Sequence, residues 1–123
     1  MSGVDDGSIA DDWILLRRVH PDQIVPDKKT GELRVSSGAF RDLNMSVDVE
    51  EILKKNGENY MFSLAAYPLH SLVRLLAAIP RKYGQAVVAS PLPENPAHAE
   101  IKGAKSGSVA RALAAETSWA HRR

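Results

Sequence analysis

Trp13-Ile14-Leu15-Leu16-Arg17-Arg18-Val19 is the stretch whose conformation decides the fold. In an extended chain successive side chains alternate between two faces. Trp13, Leu15, Arg17 and Val19 then share one side, and Ile14, Leu16, Arg18 and His20 share the other. Both sides begin apolar and end basic. The pattern predicts a β-strand covered on both faces, whose C-terminal end emerges at a surface or cleft before Pro21 stops regular pairing. The two adjacent arginines point to opposite sides, so one of them is buried or lines a cleft. A buried guanidinium needs acceptors, either a salt bridge to Asp22 or Glu100 or the anion of a ligand.

Upstream, residues 1–10 carry Ser2, Gly3, Gly7 and Ser8 with Asp5 and Asp6, and read as a frayed tail that buries nothing. The rest, residues 11–123, is expected to be one globular domain, a size that buries a core without staples. Downstream, Gln23-Ile24-Val25 and Glu32–Val35 read as short strands joined by a turn at Pro26–Gly31, where Gly31 takes positive φ. Ser36-Ser37-Gly38-Ala39-Phe40 is small and polar and ends in an aromatic anchor. A helix is expected from Asp48, which stands at capping-box spacing from Glu51, to the stop at Asn56-Gly57. A second is expected from Pro68 to Pro80, because Leu69, Leu72, Val73 and Leu76 recur at helical spacing.

Gln85–Ala89 reads as a buried strand and Ala97–Lys102 as its partner, across a loop stiffened by Pro91, Pro93 and Pro96. Residues 108–119 are alanine-rich and predict a last helix, with Ser108 as N-cap and Arg122 and Arg123 at its negative end. The order β, turn, α, α, β, β, α gives the fold class α+β, a small mixed or antiparallel sheet packed against two or three helices.

Composition excludes several chemistries. The chain has no cysteine, so disulfides, thiolate metal sites and a cysteine nucleophile are ruled out, and a reducing cytosol is the expected setting. No basic start followed by an apolar run marks a secretory signal, and no stretch is long enough for a membrane span. His20, His70, His98 and His121 show no metal-ligand spacing, and no phosphate-binding glycine motif exists, so neither metal nor cofactor is expected. Lys102, Lys105, Arg111, Arg122 and Arg123 make a generic basic face with few aromatics to stack bases, so nucleic acid is not the expected partner. Charge is uneven: residues 1–60 hold 12 Asp+Glu against 8 Lys+Arg, and residues 61–123 hold 3 against 8, a polarity able to steer an acidic partner.

Trp13-x-Leu-Leu-Arg17-Arg18, Ser36-Ser37-x-Ala39-Phe40, Met45-Ser46-Val47 and Leu92-Pro-x-x-Pro96-Ala97-His98-Ala99 together resemble a family of small bacterial proteins with no assigned activity. The resemblance therefore implies no catalytic residue.

The expected site is a cleft at the exit of the first strand, drawing on Arg17, Arg18, His20, Ser36, Ser37, Phe40, Glu94 and His98. The expected function is that of a small cytoplasmic binding or accessory module that acts on another protein through a partner surface. The alternative is a compact enzyme like the ADP-ribosyltransferases, using NAD or an ADP-ribosylated substrate. There Arg17 or Arg18 would grip a phosphate, Ser36 or Ser37 would support the ribose, and Phe40 would stack on a ring. Glu94 or Glu100 would stabilise the developing positive charge.

Overall fold

The computed structural model describes residues 5–123. The strands are β1 (Ile14–Val19), β2 (Ile24–Pro26), β3 (Leu33–Val35), β4 (Asn44–Val49), β5 (Ser71–Leu76), β6 (Ala86–Ala89), β7 (His98–Lys102) and β8 (Ser118–His121). The helices are α1 (Glu50–Lys55), α2 (Ala78–Lys82) and α3 (Gly107–Ala115). Six strands form one sheet in the order β6-β7-β4-β1-β5-β8, with every neighbouring pair antiparallel, while β2 and β3 form a separate hairpin. The fold is α+β.

β1 lies inside the sheet and is covered on both sides, as its sequence requires. Leu15 and Val19 join Met45, Val47, Val49, Val73, Leu75 and Ile101 in the larger core, closed by Phe40 and by Ala110 and Leu113 of α3. Leu16 faces the other way, against Leu53 of α1, Leu64 and Leu72. Each large apolar side chain buried in this way contributes about 1.5–3 kcal/mol.

Three expectations fail for identifiable reasons. The helix expected over 68–80 is instead β5. Its apparent stripe is no stripe, since Leu69 is 70% and Leu76 44% exposed. Val73 and Leu75 enter one core and Leu72 the other. A short run apolar on both sides carries no period that separates helix from strand, and the sheet interior decides. Asp48 is not a helix cap but a strand residue. Strand β4 runs to Val49 and α1 starts at Glu50 without a side-chain cap, its first turn carrying Glu50 and Glu51 and its last Lys54 and Lys55, which suits the helix dipole. The last helix is shorter than expected. Ser106, not Ser108, caps it by accepting from Val109 N at 3.2 Å, and Thr117 Oγ1 donates to Ala114 O at 2.7 Å as the chain turns into β8. Arg123 accordingly serves the sheet, donating to His70 O at 2.8 Å.

Of the expected tail, residues 1–4 lie outside the described residues. Residues 5–10 are ordered by specific contacts, and Ile9 is buried in the larger core. Asp6 N donates to Val87 O (2.8 Å), Val87 N donates to Asp5 Oδ1 (2.9 Å) and Ala89 N donates to Asp6 Oδ2 (3.3 Å). Two aspartates thus imitate a partner strand along the outer edge of β6. Arg81 ties them down through Asp5 Oδ1 and Asp11 Oδ1, both at 2.8 Å. Burial pushes the Asp5 carboxyl up, but the Val87 amide and the Arg81 guanidinium outweigh it and hold it below the ordinary aspartate range.

A buried ammonium closes the end of β7. Lys105, 9% exposed, donates from Nζ to Ile101 O and Gly103 O at 2.9 Å each and to Leu43 O at 3.4 Å. Gly103 makes the turn possible at φ +143°, pressed so closely on Gln85 that a Cβ would stand 2.5 Å from Gln85 Oε1. Burial lowers the Lys105 pKa from 10.5 to about 8. Between those values the unfolded chain holds a proton that the folded chain has released, so stability rises with pH there. Chemical denaturation of wild type and Lys105→Met across pH 8 to 10.5 is expected to show wild type gaining on the variant, by at most about 1.4 kcal/mol per pH unit. Parallel pH profiles would contradict this.

Candidate functional site

Arg17 and Arg18 do leave β1 on opposite faces, but neither reaches Asp22 or Glu100. β1 and β4 pair only at Leu15↔Val49 and Leu16↔Asp48, then part. The Arg17 side chain fills the gap: Nε donates to Ala39 O (3.2 Å), Nη1 to Ser46 O (2.9 Å) and Nη2 to Asp42 Oδ2 (3.0 Å). Burial lowers its pKa and the Asp42 carboxylate partly restores it. Three of its donors are committed within the chain, so Arg17 is a framework residue.

On the other face Arg18 lies over the Tyr67 ring, 4.1 Å from its centroid, with Nη1 3.4 Å from Ser63 O and 3.7 Å from Asp48 Oδ2. Asp48, 2% exposed, is the hub. Its carboxylate accepts from Ser63 Oγ at 2.6 Å and from Asn95 Nδ2 at 2.8 Å. Asn95 belongs to the proline-rich loop, which is closed by mutual backbone bonds between Leu92 and Asn95, both 3.0 Å. In the β4–β7 ladder Asp48 stands opposite His98 and Ser46 opposite Glu100. His98 bonds Ser90 O through Nδ1 at 2.8 Å and Ser46 Oγ through Nε2 at 3.2 Å. Glu100 lies 3.5 Å from Lys102. Arg18, Asp48, Ser63 and Asn95 form one polar cluster, and His98 N, donating to Asn95 O at 3.2 Å, joins it to the Ser46–His98 pair.

The eight residues expected to share a cleft are divided. Arg18 belongs to this cluster and His98 to the pair joined to it. His20 begins a short 3-10 turn by accepting from Asp22 N at 3.0 Å, and meets His70 edge to face with ring centroids 5.3 Å apart. Ser36 accepts from Gly38 N at 3.2 Å, and Phe40 is 0% exposed, so it supports the core and is closed to a ligand ring. Glu94 stands exposed on the loop. The constellation that an NAD pocket would require is not assembled. Nothing in the sequence pattern marks Ser46, Asp48, Ser63 and Asn95 as site residues. Met45-Ser46-Val47 and the proline-rich segment attract notice in the sequence, but only the strand register brings them together.

Ser37 lines a second feature, a cleft of about 560 Å³ between the β2–β3 hairpin, the end of α3 and β8. Val35, Val73 and Trp119 supply apolar wall, and Arg34, Arg111 and Thr117 supply polar groups. Arg34 is 3.6 Å from Asp27. Arg111 makes no ion pair among the described residues. Arg122 extends the basic rim, its guanidinium 5.9 Å from the Trp119 ring centroid. No three His, Asp or Glu side chains among the described residues gather to hold a metal ion, and no helix among them is long and apolar enough to cross a membrane.

Asp48→Ala removes the acceptor of two hydrogen bonds and leaves Arg18 without its carboxylate. It is expected to destabilise by about 3–5 kcal/mol, measured by urea unfolding. A loss below about 1 kcal/mol would show that the hub is dispensable. Arg17→Lys keeps the charge but cannot span Ala39 O, Ser46 O and Asp42 together. Its expected loss is about 1–3 kcal/mol in the same measurement.

Comparison with known proteins leaves this arrangement without a named counterpart: no family model, no curated protein and no solved structure matches the chain.

Proposed function

We propose that the protein is a binding module, acting in the cytoplasm without catalysis at this surface, that captures an acidic, extended segment of another protein along β8. The observation that carries the reading is the contrast between the two edges of the main sheet. The β6 edge is covered by Asp5 and Asp6. The β8 edge has no strand against it among the described residues. An uncovered edge is a template for one more strand, and it borders the basic cleft.

Strand addition takes its affinity from main-chain hydrogen bonds and its selectivity from pockets that receive alternate side chains. Trp119 and Val73 offer such an apolar wall. Arg111 and Arg122, with Arg34 shared with Asp27 of the same cleft, favour carboxylates on the incoming segment, and rim charges of this kind mainly raise the association rate and its salt sensitivity. The excess of basic residues in the second half of the sequence points the same way. Trp119 also provides a reporter, since only Trp13 shares its fluorescence.

The test is titration with fluorescently labelled octapeptides alternating Val with Glu or Val with Lys, read by anisotropy and Trp119 emission. The Glu peptide is expected to bind, and to bind more weakly as salt shortens the screening length. Arg34→Glu with Arg111→Glu should weaken it about tenfold, and Ala120→Pro, which distorts β8, should abolish it. Equal affinity for both peptides, or for neither, overturns the proposal.

A further inference from the structure

We propose that Ser46 and His98 are a nucleophile and general base, able to take an acyl group from an activated ester on the sheet face opposite the Trp119 cleft. The hydrogen bonds dictate the proton positions. Ser90 O is a carbonyl and only accepts, so His98 Nδ1, 2.8 Å away, carries a proton. In the neutral ring Nε2 is then the acceptor, and the hydroxyl 3.2 Å from it directs its proton at the imidazole. A nucleophile within reach of a base, with the base oriented by a third group, is the arrangement that activates a serine.

The orientation is built in. Ser90 N donates to His98 O at 3.0 Å, so the residue that positions the ring is itself held by the same strand. Asp48 grips Asn95 of the same loop at 2.8 Å. Pro91, Pro93 and Pro96 limit the freedom of the loop. Ser46 is fixed by the β4–β7 ladder, and Arg17 secures its carbonyl at 2.9 Å from the opposite side of the sheet. Both Ser46 and His98 are half-buried, so the pair is not sealed within the core. On this face Arg18 is paired with Asp48 at 3.7 Å and Lys102 with Glu100 at 3.5 Å, so the dyad stands among balanced charges.

The step is balanced within the pair and an ester. Ser46 Oγ forms a bond to the ester carbonyl carbon while its proton passes to His98 Nε2. The tetrahedral adduct then breaks its bond to the leaving oxygen, which departs as an alkoxide or phenolate and takes the proton from His98. Water attacks the acyl-serine in the same manner, giving its proton to His98, and Ser46 leaves with that proton as the carboxylic acid forms.

The chemistry does not depend on the β8 edge, so its test stands apart from peptide binding. Full-length protein is incubated with p-nitrophenyl acetate, phenolate release is followed, and acetylation is mapped by mass spectrometry. Acetylation at Ser46 is expected, falling about 100-fold in phenolate burst rate in His98→Asn and disappearing from that peptide in Ser46→Ala. Asparagine retains an amide donor for Ser90 O, and a thermal melt matching wild type shows that the fold is kept. Label on lysines alone, or on Ser46 at the same rate in His98→Asn, overturns the proposal.

Discussion

Where β1 and β4 separate, one guanidinium does the joining. Sheet pairing between the two strands ends after Leu16↔Asp48, and a bare carbonyl at Ser46 would follow. Arg17 reaches it and in the same stroke holds Ala39 O and Asp42. An arginine suits the place because its planar fork presents several donors with fixed geometry and keeps its charge despite burial. The consequence spreads in two directions. Ala39 and Phe40 are seated in the larger core over β1, and β4 is allowed to veer toward β7, carrying Ser46 and Asp48 with it.

That divergence gives the sheet its two characters. One face is a hydrocarbon core shut by α3 and the Phe40 turn. The other is apolar only where α1 and the segment around Leu64 cover it, and beyond them is a polar surface organised by Asp48. A carboxylate so deeply placed is tolerated because Ser63, Asn95 and Arg18 satisfy it from three separate segments. The same satisfaction couples the proline-rich loop to the sheet, and that loop supplies Ser90 O, which with Ser46 Oγ holds the ring of His98.

The sequence was legible where a pattern had one reading. Trp13–Val19 alternates apolar side chains onto both faces before Pro21 stops it, Gly31 and Gly57 mark turns, and the pair 85–89 with 97–102 flanks a proline-rich loop. It misled where local spacing and tertiary context conflict. Leu72 and Val73 fit a helical stripe until β1 and β8 claim their backbones, and Asp48 stands three residues before Glu51 for reasons unrelated to capping. The site was harder still. Arg18 and His98 were recognisable as candidates, but their partners Ser46 and Asp48 owe their positions to register across β4 and β7. The Trp119 cleft joins residues 27–35 to 111–119, and nothing local to either segment announces the other.

The acidic cover on β6 makes the two ends of the sheet answer differently to acid. Asp5 and Asp6 are held below their ordinary pKa of 3.8, so what they contribute is present above that value and is lost as pH falls through their lower folded values. Once protonated, neither carboxylate can accept as strongly from the Val87 and Ala89 amides, and the first segment loosens from its strand. The release is partial: the Asp6 amide still reaches Val87 O at 2.8 Å and Ile9 stays in the core, and neither contact titrates. Acid therefore frees the Val87 and Ala89 amides while this margin of the sheet keeps its backbone tether.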